Sequence, residues 1–254
     1  MQRRQFMKVC MAGATLAPRM APGADLQIRR YARTCLVDER GQPLKTASLA
    51  RGVNYIFHYP YAGTPCFLLD LGASTQRSVR MQTRDGKGYE WPGGVGPRNA
   101  IVAYSAICTH RMTYPTRQIS FISYRDRSTA PGIAHPNTIH CCSEHSEFDP
   151  AAGARVVAGP APQPLAAVLL DYDAAEDALY AVGTLGSELF NAFFAKYGMK
   201  LALDYGDGDE VRQPVNDSGH RAHALLQAAD PLLSGFTRHP AATSERRGQR
   251  RRCS

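Results

Sequence analysis

Four residues of types that bind transition metals lie in two short segments of this 254-residue chain, and no other feature constrains its fold as strongly. The first segment is Cys108-Thr-His110 and the second is Cys142-Ser-Glu-His145. Two thiolates and two imidazoles can complete a closed tetrahedral zinc site. They can equally hold a two-iron cluster, in which one iron takes the thiolates and the other takes the imidazoles. Either site requires a fold that brings two distant segments together.

The surrounding residues favour the two-iron alternative. The apolar run 101–107 is too short for a typical helix and predicts a buried strand that leads directly into Cys108. After His145 the chain has a turn at Gly153 and a proline-rich segment, 159–165. A zinc finger has no need of such a third loop.

In these motifs the chain resembles the Rieske iron–sulfur protein family, over residues 91–184. The resemblance implies one [2Fe–2S] cluster per chain as the cofactor, held in a small β subdomain. Cys108 and Cys142 would bind the inner iron. His110 and His145 would bind the outer iron, near the surface, where a redox partner can reach the imidazoles. The positions that would support the cluster from the second and third loops are Ser146, Phe148, Gly159, Pro160, Ala161 and Pro162.

The chain departs from the family pattern in two ways. Members that serve quinol-oxidising complexes carry an extra cysteine pair beside the ligands, whereas this chain has residues 111–113 after the first histidine and Glu144 before the second. Those members also place Gly-Ser-x-Tyr after the second histidine, whereas here Ser146-Glu-Phe148 follows, one residue shorter and without the tyrosine hydroxyl. Hydrogen bonds to cluster sulfurs raise the potential, so we expect a lower potential than in those members.

The segment between the two ligand pairs, 111–140, is long for the family and predicts an insert. Residues 114–124 predict an added strand and 126–137 a loop. His135 and His140 are expected to be ordinary loop histidines. Cys141 is expected to be a buried thiol or the partner of another cysteine.

The whole pattern predicts an all-β fold, a Rieske-type antiparallel β sandwich or barrel whose cluster-binding part covers 105–165. We expect this domain to span 25–184. An amphipathic helix is predicted over 185–205, with its apolar stripe docked on the domain's own core. A flexible basic tail is predicted over 206–254. The predicted strands lie within 52–59, 66–71 and 101–107, and in a hairpin of 166–172 and 178–182.

The two ends of the chain carry its excess positive charge. The formal net charge is +8, but residues 1–24 hold four basic residues and no acid, and residues 238–254 hold six arginines and one glutamate. The body between them offers no basic excess for DNA or RNA, so we expect no nucleic-acid partner. The paired Arg3-Arg4 and the short apolar run after them predict a twin-arginine export signal over 1–24.

Together these features predict a periplasmic one-electron carrier rather than a stand-alone catalyst, with no catalytic residues of its own. The donor would be a quinol or a reduced enzyme, and the acceptor a cytochrome or another oxidoreductase subunit. Contact with a membrane would come through such a partner or through the basic tail. One alternative is a small iron–sulfur subunit of a cytochrome bc or arsenite oxidase-like enzyme. Another is a structural zinc-binding module.

Overall fold

The computed structural model describes residues 26–38, 40–116, 120–126, 135–205, 209–215, 224–225 and 227–228. These residues form three β-sheets and one α-helix, which confirms the all-β class with a helix after the last long strand. The export signal predicted at 1–24 and most of the tail predicted at 206–254 lie outside the described residues.

The strands, in chain order, are β1 (Arg29–Val37), β2 (Tyr55–His58), β3 (Pro65–Asp70), β4 (Val79–Gln82), β5 (Gly88–Trp91), β6 (Ile101–Ser105), β7 (Ile122–Arg125), β8 (Thr138–Cys141), β9 (Ser146–Asp149), β10 (Arg155–Ala158), β11 (Ala167–Asp173), β12 (Ala178–Leu185), β13 (Ala224–Leu225) and β14 (Gln227–Ala228). The α-helix, α1, spans Phe190–Tyr205. Short 3₁₀ turns span Thr46–Ser48, Pro150–Ala152 and Glu210–Arg212.

The largest sheet has eight strands in the order β13-β1-β12-β11-β6-β3-β2-β14. Its neighbours pair antiparallel, except that β13 runs parallel to β1. The predicted hairpin of 166–182 is the β11–β12 pair. Strands β4 and β5 form a separate two-stranded sheet.

The central strands β3 and β6 are buried along their whole length because alternate side chains enter two different cores. In β3, Phe67 and Leu69 belong to one core, whereas Cys66 and Leu68 belong to the other. A strand packed on both faces has little freedom to shift. The end of β6 therefore holds the segment that begins at Cys108 in a defined place.

A second sheet, in the order β10-β9-β8-β7, covers the first of these cores. Its strands β7 and β9 alternate between buried and partly exposed residues, and β8 does so from Ile139 to Cys141, as expected of a sheet with one face toward solvent. Ile122, Ile139 and Phe148 project into the core that contains Phe67. Within the 111–140 insert, the strand predicted at 114–124 is found as β7, at the end of that range, and it pairs with β8.

Helix α1 docks its aromatic face on its own domain, as predicted. Phe190, Phe193 and Phe194 are buried in one cluster with Ile107 and Tyr114, the residues that flank the first ligand segment. The helix predicted from residue 185 begins five residues later because residue 185 still belongs to β12. The first ligand segment therefore lies between the large sheet and the helix.

Part of the predicted tail also packs on the fold. Val211 is buried in the cluster of α1, and its carbonyl accepts a hydrogen bond from the Gly63 amide at 2.8 Å. The Ala62 amide donates to the Gln213 carbonyl at 3.0 Å. Among the described residues, no helix combines the length and the apolar character that crossing a membrane requires.

Replacing Phe193 tests how much this helix contributes to stability. The ring is fully buried and meets the Tyr114 ring edge-on, with 4.9 Å between centroids. We expect Phe193→Ala to lower the free energy of unfolding by about 3–5 kcal/mol, because it removes apolar contacts and leaves a cavity. Urea unfolding followed by circular dichroism measures the change.

Leu203→Ala is the matched control on the same helix. The Leu203 side chain is 83% exposed, so its truncation should change the free energy of unfolding by less than about 0.5 kcal/mol. Equal losses for the two variants would show that α1 is not docked as described.

Candidate metal centre

The first ligand segment is a tight turn at the end of β6. The amide of Cys108 donates to the Thr113 carbonyl, and the amide of Met112 donates back to the Cys108 carbonyl, both at 2.8 Å. The sulfur of Cys108 is buried and accepts hydrogen bonds from the backbone amides of His110 and Arg111. Two amide donors on one sulfur favour its thiolate form.

The second ligand segment is a turn between β8 and β9, and it repeats this arrangement around Cys141. Cys141 is the last residue of β8, and its sulfur accepts hydrogen bonds from the backbone amides of Ser143 and Glu144. In both turns the cysteine sulfur therefore accepts hydrogen bonds from the backbone amides two and three residues further along the chain.

The two cysteines that occupy these equivalent positions are in contact. The Cys141 thiol is hydrogen-bonded to the Cys108 sulfur, which lowers the pKa of Cys108 to about 7 and raises the pKa of Cys141 above its usual value. Both residues belong to the core between the two sheets. The turns that follow β6 and β8 thus meet through their sulfur atoms.

The residues after the two cysteines form a second pair. His110 Nδ1 lies 3.4 Å from Glu144 Oε2, and Arg111 Nε lies 3.9 Å from the same oxygen. The side chains of His110 and Glu144 are 26% and 25% exposed, so this pair lies nearer the surface than the thiols. His110 Nδ1 itself is buried and makes no hydrogen bond.

Cys142 and His145, which the spacing predicts as ligands, are placed differently. The Cys142 sulfur lies 2.9 Å from Arg125 Nη2. His145 is exposed, has a left-handed backbone with φ of 55°, and places its ring 6.2 Å from that of His140. Of the four predicted ligands, the structure brings together Cys108 and His110.

The two supporting residues of β9 lie on the inner face of the small sheet. Phe148 is fully buried in the core that contains both contacting cysteines. Ser146 is directly opposite Cys141 in the β8–β9 pair, so the two side chains share a face. Ser146 is 0% exposed, and its hydroxyl makes no hydrogen bond.

The third loop presses its backbone against the second. Gly159 has φ of 84°, and a Cβ atom there would overlap the carbonyl oxygen of His145 and lie 2.6 Å from the Ser146 Cα atom. Thr109 Oγ1 donates to the Gln163 carbonyl at 2.7 Å, which joins the third loop to the first. The third loop also contains the other predicted supporting residues. Ala161 is partly buried and packs on the core, whereas Pro160 and Pro162 are exposed.

The other two histidines of the insert lie on the outer face of the small sheet. His135 Nδ1 is 2.8 Å from Glu147 Oε2, and His140 Nε2 is 3.9 Å from the other oxygen of that carboxylate. Burial lowers the pKa of His140, and Arg125 adds to the effect. Neither histidine is paired with Cys108 or His110.

The donor atoms are arranged as two pairs. Within the part of the chain that the structure describes, no three His, Cys, Asp or Glu side chains surround a point that one metal ion could occupy. One pair consists of the sulfurs of Cys108 and Cys141, and the other of His110 and Glu144. A pair of thiols and a separate nitrogen–oxygen pair suit a binuclear cluster better than one tetrahedral zinc ion. The unpartnered His110 Nδ1 and Ser146 hydroxyl fit a bound group that would supply their partners.

Cys141 and Glu144, which belong to these two pairs, were not among the residues that the sequence predicted as ligands. The alternation of side chains along a strand could have identified Cys141 as a buried residue. If Ile139 faces the core, then His140 points outward and Cys141 faces the core again. No sequence pattern identifies Glu144, since its partner His110 lies 34 positions away.

No family model matches the chain. Among solved structures the chain is similar to the crystal structure of the soluble domain of the Rieske protein II (soxF) from Sulfolobus acidocaldarius. The two sequences are 28% identical over 61% of this chain and 78% of that chain, with a TM-score of 0.43.

Proposed function

We propose that the chain is a Rieske-type iron–sulfur protein that transfers one electron at a time between a donor and an acceptor. A [2Fe–2S] cluster supplies a centre that takes up and returns a single electron. The protein's contribution is to hold that centre between the turns after β6 and β8 and to control how closely a partner can approach it.

The contact between the two thiols is the observation that carries the proposal. Cys108 and Cys141 present adjacent sulfurs, each stabilised by two backbone amides, on two turns that are far apart in sequence. Two cysteine sulfurs that are close together, buried and free of a disulfide are typical of a metal or iron–sulfur site. The hydrogen-bond-free Nδ1 of His110 supplies a further donor on the same turn.

The depth of these groups suits electron transfer. The thiols are buried in the core, whereas the imidazole of His110 is partly exposed. A partner that docks on His110 would therefore approach the centre from the imidazole side, while the sulfur side stays shielded from water.

The location and the partners belong to the same proposal. The export signal predicted at 1–24 favours a periplasmic protein that is loaded with its cluster before export. A quinol or a reduced enzyme would then be the donor, and a cytochrome or an oxidoreductase subunit the acceptor.

Metal analysis of the purified full chain tests the proposal. We expect two irons and two acid-labile sulfides per chain, a coloured oxidised protein and an electron paramagnetic resonance signal after reduction. A colourless protein that contains zinc alone would contradict the proposal and support a structural zinc module.

Cysteine variants extend this test to the site. Cys108→Ser should weaken iron binding by more than the ~10–100-fold that loss of an outer-shell partner costs, because it removes a direct ligand. Cys66→Ser is the control, since Cys66 is equally buried but lies in the core on the other face of the large sheet. Similar iron contents in the two variants would place the cluster elsewhere.

The close approach of Gly159 generates a separate prediction. In Gly159→Ala the new methyl group displaces the second turn, so both iron content and stability should fall. The free energy of unfolding should fall by more than the ~1–2 kcal/mol that a left-handed backbone costs a residue with a Cβ atom. Gly86→Ala is the control, because Gly86 has φ of 80° but only one side-chain atom, at 3.8 Å, near its Cβ position. Equal effects in the two variants would rule out the tight packing of the third loop.

A further inference from the structure

The second turn offers two candidates for each ligand position, and the proposed function leaves the choice between them open. The thiol is that of Cys141 or of Cys142, and the outer ligand is Glu144 or His145. Spacing alone favours Cys142 and His145, since they form the C-x-x-H pattern. Three structural observations favour the other pair.

The first observation is the equivalence of the two turns. The sulfurs of Cys108 and Cys141 each accept backbone amides from the residues two and three positions later. These sulfurs also contact each other. The printed contact of the Cys142 sulfur is of a different kind, with Arg125 Nη2 at 2.9 Å.

The second observation is the direction of the side chains. Cys141 pairs with Ile122 on one side and with Ser146 on the other, and all three face the core between the sheets. The unpartnered hydroxyl of Ser146 therefore lies on the same face as the Cys141 sulfur. A buried hydroxyl without a partner is costly, and a sulfur-containing cluster held by Cys141 would accept its hydrogen bond.

The third observation concerns the outer ligand. Glu144 Oε2 lies 3.4 Å from His110 Nδ1, a buried nitrogen without a hydrogen bond. His145 is exposed and packs beside His140 on the outer side of the small sheet. Its backbone is left-handed, with φ of 55°, and its carbonyl oxygen is the atom that Gly159 approaches most closely, so this position shapes the turn.

We propose that the second turn binds the cluster through Cys141 and Glu144, so that the ligands are Cys108, His110, Cys141 and Glu144. The inference rests on the proposed function, because it assigns ligands to the same cluster. A carboxylate then stands where a second imidazole would otherwise bind. The carboxylate adds negative charge next to the iron, which stabilises the oxidised cluster and lowers its potential.

Counting the coordinated imidazoles in the wild-type full chain gives the most direct test. Pulsed electron paramagnetic resonance of the reduced protein should detect one iron-bound imidazole. Two imidazoles would overturn the inference but leave the proposed function intact, whereas absence of any cluster would overturn both.

Matched variants identify the ligands individually. Cys141→Ser and Glu144→Ala should lose the cluster, while their neighbours' variants, Cys142→Ser and His145→Ala, should retain it. Circular dichroism shows whether each variant is folded. The opposite pattern, with loss in Cys142→Ser and His145→Ala, would overturn the inference.

Glu144→His provides a gain-of-signal test that does not depend on loss of folding. The variant should keep its cluster, show two coordinated imidazoles and have a higher potential than the wild type, because a neutral ligand replaces an anionic one. An unchanged imidazole count together with an unchanged potential would show that Glu144 does not bind iron.

Discussion

The contact between Cys108 and Cys141 joins the eight-stranded and the four-stranded sheet at the place where the turns after β6 and β8 meet. Cys108 lies three residues after β6 of the large sheet, and Cys141 is the last residue of β8 of the small sheet. Both lie in the core that the two sheets share. The packing of that core therefore determines the distance between the sulfurs, and any ligand set built on them depends on it.

Two supports outside the small sheet hold the turns in position. The third loop bonds to the first through Thr109 and Gln163 and presses against the second through Gly159. Helix α1 lies on the other side of the first turn, where Lys196 Nζ donates to the Arg111 carbonyl at 2.7 Å. The two turns are thus held by contacts to two elements outside the small sheet, the third loop and helix α1.

The proposed assignment of Glu144 as a ligand would also account for one difference from the pattern of the quinol-oxidising Rieske proteins that the sequence resembles. With His145 as the ligand, the stretch up to Phe148 is one residue shorter than in the quinol-oxidising members. With Glu144 as the ligand the deficit disappears, and His145 falls at the glycine position of the pattern. That position has φ of 55° here, a conformation that glycine adopts without strain. Sequence length and backbone geometry thus agree on the same shift of one residue.

The sequence by itself determined the fold class, the strands at 55–58, 65–70 and 101–105, the β11–β12 hairpin and the docking of the aromatic face of α1. These features can be predicted from local periodicity, because the spacing of apolar residues along the chain shows which face of a strand or helix is buried. The sequence also predicted Cys108 and His110 as candidate ligands, because a strand followed by C-x-H is a local signal, and the structure places both in the turn after β6. The sequence did not determine which of Cys141 and Cys142 faces the core between the sheets, since the two residues differ in orientation and not in chemistry. Only the tertiary structure decided that choice, because the register of β8 against β7 and β9 determines which side chain faces the core.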